Sequence, residues 1–247
     1  NIEWLDRLRS DALHCINMLK VPTTHTEAWR FTDISPLTKL SFSEASLFPR
    51  NRIKELERFF LSESGYRLVF VDGHYVAELS HIDASEEVIH GNLSSLIFSH
   101  NQIISSYLGK LVGFQDDLFA ALNTAFMQDC ACVILPRNRS VTKPIHLLFV
   151  STQSETTSYP RCLVVAESGS YATIIEDYVA MDENVYVTHS VAEVFLAESA
   201  KVDHYRIQRD SNQAFHIANH AVGLSKSSCY TGINITFGAQ ISRFNLK

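Results

Sequence analysis

The stretches Glu167-Ser168-Gly169-Ser170-Tyr171-Ala172-Thr173-Ile174-Ile175-Glu176 and Glu198-Ser199-Ala200-Lys201-Val202-Asp203-His204-Tyr205-Arg206-Ile207 decide the fold. In each, a corner of small and charged residues precedes a β-branched and aromatic run. The echo sets Glu198 over Glu167 and Ile207 over Glu176. Gly223-Leu224-Ser225-Lys226 and Phe237-Gly238-Ala239-Gln240 precede further strand-like runs in the same way, at unequal spacings. Small residues at a corner, then a strand, suit the stacked coils of a β-solenoid. A jelly roll or a sandwich gives a similar strand density and stays open at this point.

The strand-rich character extends from about Asp129 onward. Cys130–Leu135, Ile145–Val150, Arg161–Glu167, Tyr171–Val179, Val185–Leu196, Val202–Gln208, Ala214–Leu224 and Cys229–Phe237 all read as strands, with Pro136–Lys143 as a polar turn. No amphipathic helix interrupts them, which excludes a doubly wound α/β sheet. The last strand runs directly into Asn245-Leu246-Lys247. An uncapped solenoid end exposes unpaired backbone groups, so the natural chain is expected to continue or a partner to cover this end.

Before Asp129 the pattern is mixed and mostly helical. Trp4, Leu5, Leu8, Ala12, Cys15, Ile16 and Leu19 share one helix face, and Pro22 stops that helix. Arg52–Leu61 and Leu93–Leu108 read as helices. Leu118–Met127 reads as a third, capped by Asp116-Asp117. Arg67–Val71, the turn Asp72-Gly73 and Tyr75–Leu79 read as a hairpin. Two regions are therefore expected. Residues 1–128 form a mostly helical α/β region with a small hairpin, and residues 129–247 form the N-terminal part of a solenoid core.

Among the 247 residues, hydrophobic side chains make up 46% and charged ones 19%, a globular composition that excludes wholesale disorder. The net charge of −6 argues against nucleic acid as the main partner. No apolar run approaches the length of a membrane-spanning helix. The opening residues lack the basic and then apolar pattern of a signal peptide, and the absence of an initiator Met places the expected N-terminus upstream. Five cysteines, odd in number and sparse, fit a reducing compartment better than a disulfide framework.

Cys130 and Cys132 share a strand face, but no second pair follows at zinc spacing, so two small core residues are expected there. Cys162 and Cys229, inside strand patterns, are expected in the core as well. His216 and His220 sit too far apart on a strand to chelate together, and no metalloprotease motif accompanies them. His189, His204 and His216 would meet only if stacked coils align them. Glu176-Asp177 and Glu193 are the candidate acids of a carbohydrate-active solenoid. Exposure, or salt bridges to Arg161, Arg206 and Arg243, is the competing expectation. No phosphate-binding glycine loop and no nucleophile elbow is present. Trp29-Arg30-Phe31 reads as an anchor for the N-terminal arm, with Arg30 paired to Glu27 or Asp33, or as an aromatic and cationic docking site.

Several segments, taken in order, resemble one family. Glu27-Ala28-Trp29-Arg30-Phe31-Thr32-Asp33 with Pro36-Leu37 is similar to a segment near the start of SufD proteins. Phe70-Val71-Asp72-Gly73 with Leu79-Ser80, Phe119-Ala120-Ala121-Leu122-Asn123-Thr124-Ala125-Phe126 and Val141-Thr142-Lys143-Pro144-Ile145-His146-Leu147 continue the likeness. So do Pro160-Arg161, Ile175-Glu176-Asp177-Tyr178, Val191-Ala192-Glu193, Ala200 to Gln208 and Gly238 to Arg243. The likeness runs from about Trp4 to Lys247, and the Trp-Arg-Phe-Thr segment favours SufD over its SufB paralogue.

The resemblance implies a mixed fold: an N-terminal, mostly helical region, then a right-handed parallel β-helix, then a C-terminal helical region. It implies a non-enzymatic scaffold or accessory subunit of iron–sulfur cluster assembly, pairing with a SufB-like protein and coupled to a SufC-like ABC ATPase. ATP would be bound by that partner, and the cluster would be carried only transiently on the complex. The matching residues Trp29, Arg30, Asn123, Pro144, Arg161, Glu176, Glu193, Arg206, Gln208 and Arg243 are expected to be structural. No catalytic or metal-ligating residue is carried onto this chain, because the family's cluster-related cysteine and histidine and its SufC-docking helices are expected beyond Lys247. A homodimer, a bacterial cytoplasm or a plastid stroma are further expectations. A solenoid carbohydrate-active enzyme and a structural solenoid are the alternative readings.

Overall fold

The computed structural model describes residues 2–81 and 88–247. Its first element, α1 (Glu3–Met18), buries Leu5 and Ala12, and Leu19 ends it in extended backbone ahead of Pro22. The short α2 (Ser35–Thr38) and the two-residue β1 (Ser43–Glu44) follow. Arg50–Phe59 is a 3₁₀ helix, where a regular helix was expected over Arg52–Leu61. Its apolar residues, Ile53, Leu56 and Phe59, recur every third position, which is the period of the tighter helix.

The hairpin forms through β2 (Tyr66–Val71) and a shorter β3 (His74–Tyr75), after which Ala77–Leu79 turns into a 3₁₀ helix. Asp72 and Gly73 both take positive φ, 50° and 89°, as this tight turn demands. Next come β4 (Ile89–Asn92), α3 (Leu93–Leu96) and α4 (Asn101–Tyr107). The single helix expected over Leu93–Leu108 is thus broken in two. Ser99 lies at the break, with its hydroxyl 3.3 Å from the Leu96 carbonyl and 2.8 Å from His100 Nδ1, and such local bonds compete with the helix ladder. The helix α5 (Leu118–Phe126) starts where expected, its Asp117 carboxylate accepting from the amides of Phe119 and Ala120.

The remaining strands are β5 (Ala131–Leu135), β6 (Ile145–Ser151), β7 (Thr156–Ser158), β8 (Arg161–Ala166) and β9 (Tyr171–Ala180). They continue as β10 (Tyr186–Leu196), β11 (Lys201–Arg209), β12 (Phe215–Leu224), β13 (Cys229–Phe237) and β14 (Ile241–Leu246). The long strands alternate between two sheets, and every pairing among β5 to β14 is parallel. One sheet stacks β5, β8, β10, β12 and β14; the other stacks β6, β9, β11 and β13. This is a β-solenoid. Strands from the N-terminal region extend both sheets. β2 joins β6 in parallel, and β4 closes the first sheet by pairing antiparallel with β5.

The stacking steps are unequal. Ala131 pairs with Cys162, Arg161 with Val191, Val187 with Phe215 and Phe215 with Ile241. In the first sheet each step is therefore shorter than the one before it, whereas in the second Ile145 pairs with Ile174, Tyr171 with Lys201 and Lys201 with Cys229, steps that do not shrink in order. The echo that sets Ile207 over Glu176 is one position too long for the ladder, where Tyr171 faces Lys201 and Glu176 faces Arg206. Each coil turns one corner through a left-handed residue: Asn138, Gly169, Ser199 and Ser227, with φ between 57° and 69°. Corner amides bond to the next coil's corner, as from Gly169 to the Glu198 carbonyl and from Ser199 to that of Lys226.

The lumen between the sheets holds the main core, with Leu68, Leu147, Val133, Val164, Ile174 and Val194 among its residues. Helices α1, α3, α4 and α5 cover the outside of the first sheet. The 3₁₀ helix at Arg50–Phe59 covers part of the second through Leu56.

Candidate functional site

The lumen changes character along the stack. In the first two coils it is apolar. From Glu176 onward the inward positions become polar: Glu176 and Tyr178 on β9, His204, Arg206 and Gln208 on β11, and Ser190, His216 and His220 on β10 and β12. All are buried. On β9 and β11 their parity is that of Ala172, Ile174 and Val202, so period-two alternation points them inward.

Glu176 is the centre of this cluster. The Tyr178 hydroxyl donates to Oε1 at 2.5 Å. His204 Nε2 lies 2.9 Å from Oε2 and His220 Nε2 3.1 Å from Oε1. Both imidazoles sit at ion-pair distance but off the hydrogen-bonding direction, so the contact is electrostatic. Burial alone would raise the Glu176 carboxyl. The facing imidazoles of His220 and His204 outweigh it and hold the group well below the usual carboxylate range. Burial in turn pushes His220 down, partly offset by Glu176. His204 is oriented from its other side, where Nδ1 lies 3.1 Å from the Tyr230 hydroxyl.

Arg206 lies beside this group. Its Nη1 donates to Asn234 at 3.0 Å and to Gln208 at 3.3 Å, and Nη2 sits 2.7 Å from His216 Nε2. The guanidinium lies 5.1 Å from both the Tyr178 and Phe244 rings, so two aromatic faces stabilise a cation removed from water.

Ser190, His216 and Asp210 also form a chain. Ser190 Oγ is 3.1 Å from His216 Nε2, and His216 Nδ1 is 2.8 Å from Asp210 Oδ2. The spacing is that of a hydrolytic triad. Its chemistry is blocked, because the Arg206 guanidinium occupies the imidazole lone pair that a general base would need. All three residues are buried. Burial lowers the His216 pKa, consistent with a neutral ring that donates to Asp210 and accepts from Arg206.

The other candidate residues fall into separate places. Arg161 and Glu193 point outward from the first sheet, toward the helices, and form a buried pair of 2.7 Å. Arg161 also donates to Asn123 and Thr124, and Asn123 donates to the Pro160 and His189 carbonyls. Glu193 further accepts from the amides of Gly109, Leu111 and Val112. Glu193 and Glu176 therefore face opposite sides of a sheet wall and share no cleft. Neither is exposed, and the bridge expected to Arg243 is absent among the described residues. Glu176 meets Arg206 only at 3.9 Å.

Trp29 is a buried anchor, 5.2 Å from the Phe119 ring. Arg30 is exposed and stacks 5.4 Å from Phe31. Asp33 binds Ser35 instead of Arg30, so the pairing expected for Arg30 is not found among the described residues. The carbonyl of Pro144, just before β6, accepts from the Gly65 amide.

Cys130, Cys132 and Cys162 are buried core residues, whereas Cys229 is exposed on β13, contrary to expectation. It opens the strand at the edge of its sheet, whose residues are mostly exposed. His189, His204 and His216 do not converge. His189 points outward and stacks between Phe119 and Tyr159. Among the described residues, no group of three or more His, Cys, Asp or Glu is arranged to hold a metal ion. Two surface hollows of about 710 and 700 Å³ lie beside α1 and beside the N-terminal arm, and neither is lined by the Glu176 cluster.

Residues 1–147 match the family model described as the SufBD protein N-terminal region, and residues 149–247 match that described as "SUF system FeS cluster assembly, SufBD core domain". A SufBD family protein of iron–sulfur cluster assembly from Synechocystis is 35% identical, over 97% of this chain and 55% of its own length. The chloroplastic protein ABCI7 of Arabidopsis thaliana is 27% identical, over 98% of this chain and 52% of its own length. The iron–sulfur cluster assembly protein SufD of Escherichia coli is 24% identical, over 91% and 51%. The chain spans about half the length of these curated relatives.

Proposed function

Because the chain belongs to the SufBD family of the SUF iron–sulfur cluster assembly system, we propose that it is part of a SufD-like scaffold subunit. The observation that carries this is the end-to-end match to the family's N-terminal and core models. The subunit would pair with a SufB-like paralogue and be coupled to a SufC-like ATPase. The buried, interlocked polar groups favour a framework over an active site. The one triad-like arrangement described is sealed, and the candidate acids Glu176 and Glu193 lie on different faces. Catalysis by this chain is therefore not part of the proposal.

The iron–sulfur cluster is cargo of the complex, and nucleotide belongs to the ATPase partner. ATP-driven closure of the SufC-like subunits would strain the paired scaffold and expose groups for cluster building. No helix among the described residues is long and apolar enough to cross a membrane. A bacterial cytoplasm or a plastid stroma is the proposed setting.

The test is light scattering after size exclusion, on the full-length parent protein mixed with its SufB and SufC counterparts. A stable complex of all three, with two SufC copies, is the expected result. Elution of the subunit alone, with and without ATP, would overturn the scaffold reading. Normal cluster yield with a hydrolysis-dead SufC would overturn the strain mechanism.

A further inference from the structure

The N-terminal arm crosses several coils of the solenoid on the outside of the first sheet. Trp29 lies at β14, Ile34 packs with Ile217 of β12, and Phe42 meets Phe215 edge-on at 6.4 Å. Beyond these, Ser43 enters the sheet beside β7. Between Lys20 and Phe42, the described backbone hydrogen bonds all run within the arm, such as Trp29 to Thr26 and Thr32 to Trp29. The first described backbone bond from the arm to the solenoid is that of the Ser43 amide with the Glu155 carbonyl.

One solenoid side chain supplies the arm's described hydrogen bonds to the coils before that point. Arg243 on β14 donates through Nη2 to the Ala28 carbonyl at 2.6 Å and through Nη1 to the Thr32 hydroxyl at 3.4 Å. Its guanidinium lies 4.2 Å from the Trp29 ring centre. The arm is thus held at one end by an arginine that belongs to β14. The residues around Trp29 are mostly exposed, Phe31 at 92%. Trp29 and Ile34 are its two buried apolar anchors, and without ladder bonds to the sheets among the described residues it is an element able to open separately from them.

We propose that residues 26–34 are a releasable strap which Arg243 locks onto the solenoid, so that movement of β14 is transmitted to the N-terminal region. The coupling does not depend on the cluster-assembly reading. When β14 shifts, Arg243 withdraws from Ala28, Thr32 and Trp29 together, and the strap lifts. Gly238 gives independent access to that movement. It takes φ +71° at the corner before β14, and a Cβ there collides with the Asp210 carbonyl oxygen. Gly238→Ala therefore displaces the corner without touching the strap.

These 247 residues hold two tryptophans, so Trp4→Phe leaves Trp29 as the only tryptophan reporter among them. In that background, Arg243→Gln is expected to red-shift Trp29 emission and raise its acrylamide quenching constant roughly three-fold or more, as an aromatic anchor loses its cation and enters water. The far-UV circular dichroism and the urea midpoint of the sheets stay near the parent's. Arg243→Lys retains a cation over the ring and gives an intermediate value. Gly238→Ala raises quenching in the same direction with Arg243 intact. Trp29 as shielded in Arg243→Gln as in the parent overturns the lock. Exposure that appears only together with loss of the sheet signal overturns the independence of the strap. A folded Gly238→Ala protein with unchanged quenching overturns transmission from β14.

Discussion

Replacing Glu193 by Gln changes one oxygen to an amide and removes one charge, at the point where β10, β8, α5 and the 109–112 loop meet. The wild-type carboxylate has four donors. Oε2 takes Arg161 at 2.7 Å and Gly109 at 2.8 Å, and Oε1 takes Leu111 at 2.8 Å and Val112 at 3.1 Å. A glutamine has one acceptor oxygen. Whichever way its amide turns, an NH₂ faces two donors that have lost their partner. Arg161 is then a buried cation with no anion beside it, facing the neutral oxygens of Asn123 and Thr124 and, in one amide orientation, that of the glutamine. Breaking a buried pair from one side costs about 3–5 kcal/mol, much of it from the stranded charge. At a urea m-value of about 2–3 kcal/mol/M, the unfolding midpoint falls by roughly 1–2 M. Equilibrium urea unfolding followed by tyrosine and tryptophan fluorescence measures it. Arg161→Met added to Glu193→Gln removes the stranded charge, so the double variant is less destabilised than the sum of the singles. A midpoint drop below about 0.3 M for Glu193→Gln, or strictly additive singles, would refute the reasoning that this pair is a dry, mutually dependent junction.

Three further outcomes are expected. Burial pushes His189 down to about 3, below its unfolded value near 6.5. The unfolded chain takes that proton first, so stability falls as pH drops from about 6.5 toward 3. The loss is about 2 kcal/mol by pH 5, and His189→Phe should flatten the fall in urea midpoints measured between pH 7 and 5. Gly169→Ala places a side chain in left-handed backbone and against Asn138, costing about 1–2 kcal/mol in urea unfolding; no measurable change would mean the corner does not constrain φ. A thiol reagent on the native protein should modify Cys229 rapidly and Cys15 more slowly, while the buried Cys130, Cys132 and Cys162 react only after denaturation; rapid native labelling of any of these three, read by mass spectrometry, contradicts their burial.

The strands of the solenoid were legible because a run of β-branched and aromatic residues between turn signals is a local signal. Ile145–Val150 is such a run, apolar on both faces apart from His146, and no neighbouring element is needed to see it. The strands β4 and β7 escaped because Ile89–Asn92 and Thr156–Ser158 are too short and polar to form such a run. The Glu176 cluster escaped for a different reason. The echo between the two corner stretches puts Glu176 opposite Ile207; in the actual ladder it falls opposite Arg206. A slip of one position exchanges the lumen and outer faces, so the right polar residues were visible while their meeting was not. The shared parity of Glu176 and Tyr178 with Ile174, and of His204, Arg206 and Gln208 with Val202, was the available signal. Cys229 shows the limit of the same reasoning, since a strand pattern does not reveal whether anything covers that strand's face.

The shrinking advance along the first sheet bears on how this architecture can change over time. In a tandem array with a constant step, a unit can be copied, lost or exchanged, and its neighbours still fit. Here each coil has its own perimeter, and each corner is cut to the one beside it. The coil that begins at Arg161 regains its ladder at Val191, whereas the one that begins at Phe215 is back at Ile241 after a visibly shorter circuit. Transplanting one into the other's place leaves a corner with surplus or missing residues and puts its left-handed residue out of line. Exchange of one coil for another is therefore expected to cost ladder pairing at both of its edges, whereas point substitution at fixed coil length leaves the ladder in place.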